Sequence, residues 1–387
     1  MDFELNEDQT IFRDSVRRFA EANFASGAIE RARAAGYPWD VAKKLSDQGL
    51  LGIAMREEDG GHGGTLMDAV IAIEQVALVC PRSSDVIQAG NFGPARTLSE
   101  YGTPQQKEKY LKPVLDGVGL ISIGMTEPDA GSALTDLKTS AVADGNGYRV
   151  NGTKIFTTHS TVATTVLTYV RFGPGTDGIG SVLIDFKADG VSFGKPSTFM
   201  TGESWRQVYF ENVFVPPEDV LLKEGGFRKQ MTGFNAERIG NSARSLAFGR
   251  HAFNIAREHA KVRRAFDRPL CDFQGIQWKF AEMAMKLESA QLMLYKAVVA
   301  ADRGLPSAMD TSMAKHLCNE NGFDVANESL QVLGAIGFSE ETLIDYCMRR
   351  NRGMQIAGGS LEIMKNRIAE GVFDRRFSQR PPKPAQA

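Results

Sequence analysis

Met125-Thr126-Glu127-Pro128-Asp129-Ala130-Gly131-Ser132 stands where this chain changes character, and Asn151-Gly152-Thr153-Lys154-Ile155-Phe156-Thr157-Thr158 follows it. Read as residues, the first is a turn shaped by Pro and Gly, and the second is a β-branched and aromatic strand. Upstream, from Asn6 to Gly117, apolar residues recur at spacings of three and four (Ile11, Phe12, Val16, Phe19), with breaks at Gly36-Tyr37-Pro38 and Gly60-Gly61-His62-Gly63-Gly64. That period predicts helices. Downstream, the short runs Tyr148-Arg149-Val150, Thr164 to Val170, Ser181 to Ile184 and Val208 to Phe210 are separated by turns such as Asp144-Gly145-Asn146-Gly147, which predicts a small antiparallel β domain. After Gly225-Gly226 the helical period returns and holds to about Phe377, with Ile276, Phe280, Met283, Leu287, Ala290 and Leu294 as a long apolar stripe. The expected division is an N-terminal α-helical domain over 1–118, a middle β domain over 119–222, a C-terminal helical bundle over 223–378 and a Pro-rich disordered tail over 379–387.

The bulk numbers fit a multidomain globular protein. With 387 residues and 42% hydrophobic content the chain can bury a large core. Forty-five basic against forty-seven acidic residues give a formal charge of -2, which carries no polyelectrolyte signature for nucleic acid or anionic membrane. Cys80, Cys271, Cys318 and Cys347 show no metal or disulfide spacing and read as core thiols in a reducing compartment. The start MDFELNEDQT lacks an apolar run and no later stretch reaches bilayer length, so the expected location is the cytoplasm. The five histidines form neither a metal spacing nor a triad. His159 alone adjoins the Thr-rich strand and reads as a polar partner for its end.

The two opening segments together resemble the paired flavin-contacting segments of the acyl-CoA dehydrogenase family, and the resemblance extends over essentially the whole chain. Further matches are the Glu57-Glu58-Asp59-Gly60-Gly61 turn, Arg263-Arg264-Ala265-Phe266, Gln331-Val332-Leu333-Gly334-Ala335-Ile336-Gly337 and the glycine run near 358. The resemblance implies an α+β acyl-CoA dehydrogenase fold: a helical N-terminal domain, a middle β barrel and a C-terminal four-helix bundle, usually assembled as a homotetramer around FAD. It places Thr126, beside Met125, at the flavin's pyrimidine edge, Thr158 by N5 and Phe156 over one face, where relatives usually carry Trp. Ser132 matches a position that contacts substrate or cofactor, and Ser360 follows the glycine run at the cofactor. Arg263, Phe266, Gln331 and Gly334 would reach FAD held by a neighbouring subunit, Arg263 through the bidentate match of guanidinium to phosphate. Here the Gly that usually follows the Phe is Asp267.

Removing a proton α to a thioester carbonyl requires a positioned carboxylate and donors for the enolate-like oxygen. Most of the family places a Glu where this chain has Gly358, within Met354-Gln355-Ile356-Ala357-Gly358-Gly359-Ser360. The Gly358 N–H could still donate to the thioester oxygen. Some branches, isovaleryl-CoA dehydrogenase among them, instead place the Glu before an Arg on the helix that opens the C-terminal domain, and Glu237-Arg238 occupies that position. The blander reading of Glu237 is an acid in the first turn of a helix, stabilised by the macrodipole and an adjacent arginine. Glu362 is the rival base, and Arg238 would orient the helix or the acid, or meet substrate.

The implied reaction is FAD-dependent α,β-dehydrogenation of an acyl-CoA to a 2-enoyl-CoA. Glu237 would take the pro-R α proton, N5 the β hydride, and an electron-transfer flavoprotein the electrons. A second branch, the 3-sulfinopropionyl-CoA desulfinases, shares Tyr37-Pro38-Trp39-Asp40, Phe273-Gln274-Gly275 and Ile356-Ala357-Gly358-Gly359. That branch carries an amide where Glu237 stands and an arginine where this chain has Asp85, with Arg82 three residues away as a conceivable substitute. The third reading is a non-catalytic assembly or binding module on the same fold, which predicts colourless protein or a flavin that acyl-CoA does not bleach.

Overall fold

The computed structural model describes residues 4–223, 225–304 and 307–380. The tail expectation falls mostly on residues 381–387, outside the described residues, while Arg380 pairs with Asp136. The N-terminal part is helical: Glu7–Phe24, Leu66–Ala77, Pro81–Asn91 and Gly93–Tyr101 are its main helices. Asn6 with Gln9, and Thr65 with Asp68, close capping boxes that start the first two. Of the first helix's apolar residues Val16 is buried, whereas Ile11 is 60% exposed. The helix Leu66–Ala77 is buried along almost its whole length, and its N-terminal amides at Leu66 and Met67 donate to the Asp302 carboxylate from the C-terminal bundle. Oriented amides at a helix start favour such an acid.

The middle part holds strands β1 (Ile121–Gly124), β2 (Ser140–Asp144), β3 (Gly147–Thr158), β4 (Thr165–Arg171), β5 (Ile179–Asp185), β6 (Val191–Phe193), β7 (Ser197–Thr198), β8 (Ser204–Val215) and β9 (Val220–Leu222). They form one sheet in the order β6-β8-β3-β2-β4-β5-β9, with β1 added on β4 and β7 on β8. The sheet is mixed, not purely antiparallel as the short strands suggested: β1 and β2 both pair with β4 in parallel. A parallel pair needs a crossover connection that local turn signals do not reveal. Val150, Val166, Val182, Ile184, Val208, Phe210 and Val213 form the core within this sheet.

The C-terminal part is built on three long helices, Gly226–Val262, Gln274–Asp302 and Ala308–Leu333. Two shorter helices follow, Ile344–Met354 and Leu361–Val372, broken apart by the glycine turn at 358 and 359. The helices Gly226–Val262 and Ala308–Leu333 run side by side in the same direction. A Cβ on Gly322 would lie 2.4 Å from the Ser245 carbonyl oxygen, and one on Gly249 would lie 3.0 Å from the Gly322 Cα. That backbone approach sets what the two helices can bring together at each end.

Candidate active site

Glu237 lies three turns into its helix, not in the first turn, so the helix-start explanation for an acid there does not hold. Its partners come from elsewhere in the chain. Gln88, on the N-terminal helix Pro81–Asn91, donates Nε2 to Glu237 Oε2 at 2.9 Å, and the Gly93 N–H also donates to the carboxylate. Gly93, at φ 59, starts the next helix, and a Cβ there would lie 3.3 Å from Oε2. The Gln88 carbonyl packs against the helix that carries Glu237, where a Cβ on Gly240 would meet Gln88 Oε1 at 2.1 Å. Burial pushes the Glu237 carboxyl up to about 7, against Arg244, the Gln88 hydrogen bond and Lys315, all of which favour the charged form.

The glycine turn adjoins this carboxylate through Lys315. Its Nζ donates to Met354 O and Gly359 O at 3.0 Å each, and its Cε lies 3.6 Å from where a Gly358 Cβ would stand. Gly358 has φ 69 and Gly359 φ 94, left-handed values at which an L side chain is strained. Among the described residues the Gly358 N–H has no backbone acceptor. Ser360 caps the helix Leu361–Val372 by accepting from the Ile363 N–H. Glu362 is exposed in the first turn of that helix and bonded to Ser360. Arg238 is buried and donates Nη1 to Asn235 Oδ1 at 2.9 Å.

Arg82 and Asp85 belong to one buried network at the junction of the three domains. Arg82 bonds Glu203 at 3.1 Å and the Gly36 carbonyl at 2.7 Å, while Asp85 bonds Arg244 at 2.6 Å and Arg350 at 3.1 Å. Burial alone would raise the Asp85 carboxyl, but Arg350, Arg244 and Arg82 together hold it well below the ordinary carboxylate range. Asp85 is therefore a carboxylate whose charge is balanced by arginines, not a free negative charge.

The two segments expected to contact the flavin converge on one another. The Ile155 N–H donates to Thr126 O at 2.9 Å, tying the 125–132 loop to β3. Beneath them, Lys154 Nζ reaches Glu127 Oε1 at 2.7 Å and Met125 O at 3.3 Å. Glu127 also accepts from the Lys138 and Thr139 N–H groups and the Thr139 hydroxyl. Burial draws the Lys154 ammonium down to about 8 even so. Sequence reading missed this pair, although an acid inside a Pro/Gly turn and a lysine inside a Thr-rich strand were its available signal.

Phe156 is half exposed at φ 53, and its ring lies 4.7 Å from that of Trp205, which stacks on Phe199 at 5.9 Å. An aromatic ledge with the Thr158 hydroxyl donating to Phe156 O at 3.5 Å, and Thr126 on the loop bonded to the same strand, suits the face and polar edge of an isoalloxazine. Ser132 lies on the exposed turn of the same loop. His159, at φ 63, donates its backbone N–H to Ser204 O, so the strand-end role falls to its main chain, and its buried Nδ1 has no partner.

Arg263, Phe266, Gln331 and Gly334 are all exposed and lie together at the opposite end of the helix pair, around one apolar cluster of Ala256, Ala260, Val332, Leu333, Leu270 and Ile336. Arg263 stands 26 residues after Glu237 on a continuous helix, about 39 Å away at 1.5 Å per residue. One chain therefore does not bring these four residues to Glu237. Phe266 (φ 48) and Asp267 (φ 62) turn the tiny hairpin between Arg264–Ala265 and Arg268–Pro269 with two left-handed residues, the geometry of a type I′ turn. Asp267 thus occupies a glycine-like conformation, which Asp tolerates. Among the described residues no group of His, Cys, Asp and Glu is arranged to hold a metal ion, and no helix is long and apolar enough to cross a membrane.

Comparison with known proteins agrees with this geometry. Family models for the acyl-CoA dehydrogenase N-terminal, middle and C-terminal domains match residues 6–118, 122–213 and 224–373. The chain is 34% identical over 378 residues to the short-chain specific acyl-CoA dehydrogenase of Clostridium acetobutylicum, covering 96% of this chain and all of the relative. It is 31% identical over 386 residues to the 3-sulfinopropanoyl-CoA desulfinase of Paraburkholderia xenovorans, covering 98% and 99%. The solved butyryl-CoA dehydrogenase of Megasphaera elsdenii superimposes with a TM-score of 0.90 at 30% identity, over 96% of this chain and 100% of that one. Three domain matches that together span the chain, over a fold and an aromatic ledge that fit a flavin, establish that it belongs to the acyl-CoA dehydrogenase family, whose cofactor is FAD.

Proposed function

We propose that this protein catalyses α,β-dehydrogenation of an acyl-CoA thioester with Glu237 as the base. The observation that carries this reading is the Glu237 carboxylate, held by Gln88 and Gly93 across a domain boundary and linked through Lys315 to the Gly358 turn. Glu237 takes the α proton, and the Gly358 N–H donates to the thioester oxygen as charge develops there. When bound, FAD supplies the hydride acceptor at N5. Met125, Thr126, Ser132, Phe156, Thr158 and Ser360 would hold the flavin ring, Ser132 and Arg238 the substrate. A carboxyl near 7 is protonated and inert below neutrality, so reduction by substrate should rise as pH passes upward through about 7. Anaerobic titration with straight, branched, cyclic and sulfinated acyl-CoAs tests the reading. The right substrate should bleach the flavin, and Glu237→Gln should slow bleaching by about 10²- to 10⁴-fold and remove the rise near pH 7. Unchanged bleaching in that variant would rule out Glu237 as the base.

The family's assembly supports a shared site. Arg263, Phe266, Gln331 and Gly334 would contact the phosphate end of FAD bound by a second subunit, since one dinucleotide cannot reach both ends of the helix pair. On the helix Gln274–Asp302, Trp278, Met285, Leu292 and Val299 are 61%, 65%, 49% and 42% exposed, one residue per heptad. Such a seam suits a homotetramer. An electron-transfer flavoprotein is the proposed acceptor and the cytoplasm the proposed location.

The desulfinase reading has one observation in its favour: the excess of arginine over acid in the Arg82, Arg244, Arg350, Asp85 and Glu203 network near the base. It predicts sulfite release from 3-sulfinopropionyl-CoA without lasting bleaching.

A further inference from the structure

Lys315 has a place in this site that the reaction as proposed above does not use. It lies on the helix Ala308–Leu333 with no exposed surface. A buried ammonium is costly unless its donors are satisfied. Here two carbonyls accept from it: Met354 O, at the C-terminus of the helix Ile344–Met354, and Gly359 O, inside the glycine turn. A helix C-terminus favours a cation. Asn319, one turn along from Lys315, donates to the same Met354 carbonyl at 2.6 Å and to Asn241 Oδ1 at 2.9 Å, and Asn241 is one turn from Glu237. The glycine turn is thus fastened from below to the helix pair that carries the base.

We infer that Lys315 is a positioning residue that sets the Gly358 turn and the Glu237 carboxylate relative to each other, so that base and oxyanion donor act on one thioester. This rests on the assignment of Glu237 above. Glu237 is faced by Gln88 and the Gly93 N–H from the N-terminal helices, by Arg244 from its own helix, and by Lys315 from the helix alongside. Lys315 is faced by Arg238 and Glu237. Burial, with repulsion from Arg238, lowers its ammonium to about 7, against the pull of Glu237. The two protons that exchange near neutrality belong to the pair.

The test uses FAD-loaded full-length protein and three variants. In Lys315→Met, which keeps the stem, the pH midpoint of flavin reduction should rise by about one unit. Lys315→Gln keeps donors but no charge and should show the same rise. Lys315→Arg keeps the charge and displaces the donors, so its midpoint should stay while the turn is disturbed. The second readout is calorimetric binding of a 3-oxoacyl-CoA, whose enolate engages the oxyanion donor without turnover. Its affinity should fall at least tenfold in all three. A purely structural lysine would lower thermal stability and FAD content while leaving midpoint and 3-oxoacyl-CoA affinity at wild-type values, and that result overturns the inference. An unchanged affinity in Lys315→Arg overturns it even if the uncharged variants do not fold. Failure of the Glu237 assignment shows separately, as bleaching that survives Glu237→Gln.

Discussion

A single glycine decides how the proposed base is held. Gly240 sits inside the helix Gly226–Val262, where Gly is unfavourable by about 1 kcal/mol relative to Ala. Its lack of a side chain admits the Gln88 amide, which in turn fixes Glu237. Gly240→Ala should therefore lose stability by about 1–3 kcal/mol through overpacking, despite the better helix former. It should also raise the pH midpoint of flavin reduction, because a displaced Gln88 no longer stabilises the carboxylate. Thermal unfolding and a pH series of anaerobic reduction measure both effects. Glu237 is singled out in sequence only through family position, and its role as base stays a proposal. Gln88 and Lys315 are not singled out, because their contacts bridge 149 positions in the one case and carry no local periodicity in the other. Gly240, one turn beyond Glu237-Arg238, was the visible signal that another side chain comes close there.

At the level of elements, the proposed flavin ledge depends on a loop and a strand meeting, and the Lys154–Glu127 pair joins them together with the Ile155 N–H bond to Thr126 O. Removing one partner of a buried pair leaves the other uncompensated, which costs about 3–5 kcal/mol. Glu127→Gln should accordingly purify with less FAD and unfold at lower temperature. The double change Glu127→Gln/Lys154→Met should recover part of the stability without recovering the flavin. The ratio of flavin to protein absorbance and a melting curve distinguish the two. Periodicity alone placed the helical regions and the four longer strands β3, β4, β5 and β8, since each rests on local propensity and a buried face. What it missed depends on distant partners: the parallel pairing of β1 and β2 with β4, and the glycine-like turn at Asp267 that an Asp fills. Trp278 faces outward, because the helix's inner face is already filled by Met283, Leu287, Ala290 and Leu294.

At the scale of the whole molecule, that outward seam is an apolar feature which one chain leaves uncovered. Trp278, Met285, Leu292 and Val299 repeat every seven residues on a helix of 29. Leu292→Asp should shift the protein to a smaller species in sedimentation, and the smaller species should hold FAD poorly, because half of the proposed cradle arrives from another subunit. A seam of this kind reads in sequence as a second core stripe, and only the structure separates the face that is covered from the face that waits.

The helix Gly226–Val262 has Glu237 near one end and leads into Arg263 at the other. In genetic terms, lesions at these two positions would fall on different sites of the same assembly. Co-expressed chains, one defective at each, would form some sites carrying both faults and others carrying neither, so that two inactive alleles could restore activity to one another.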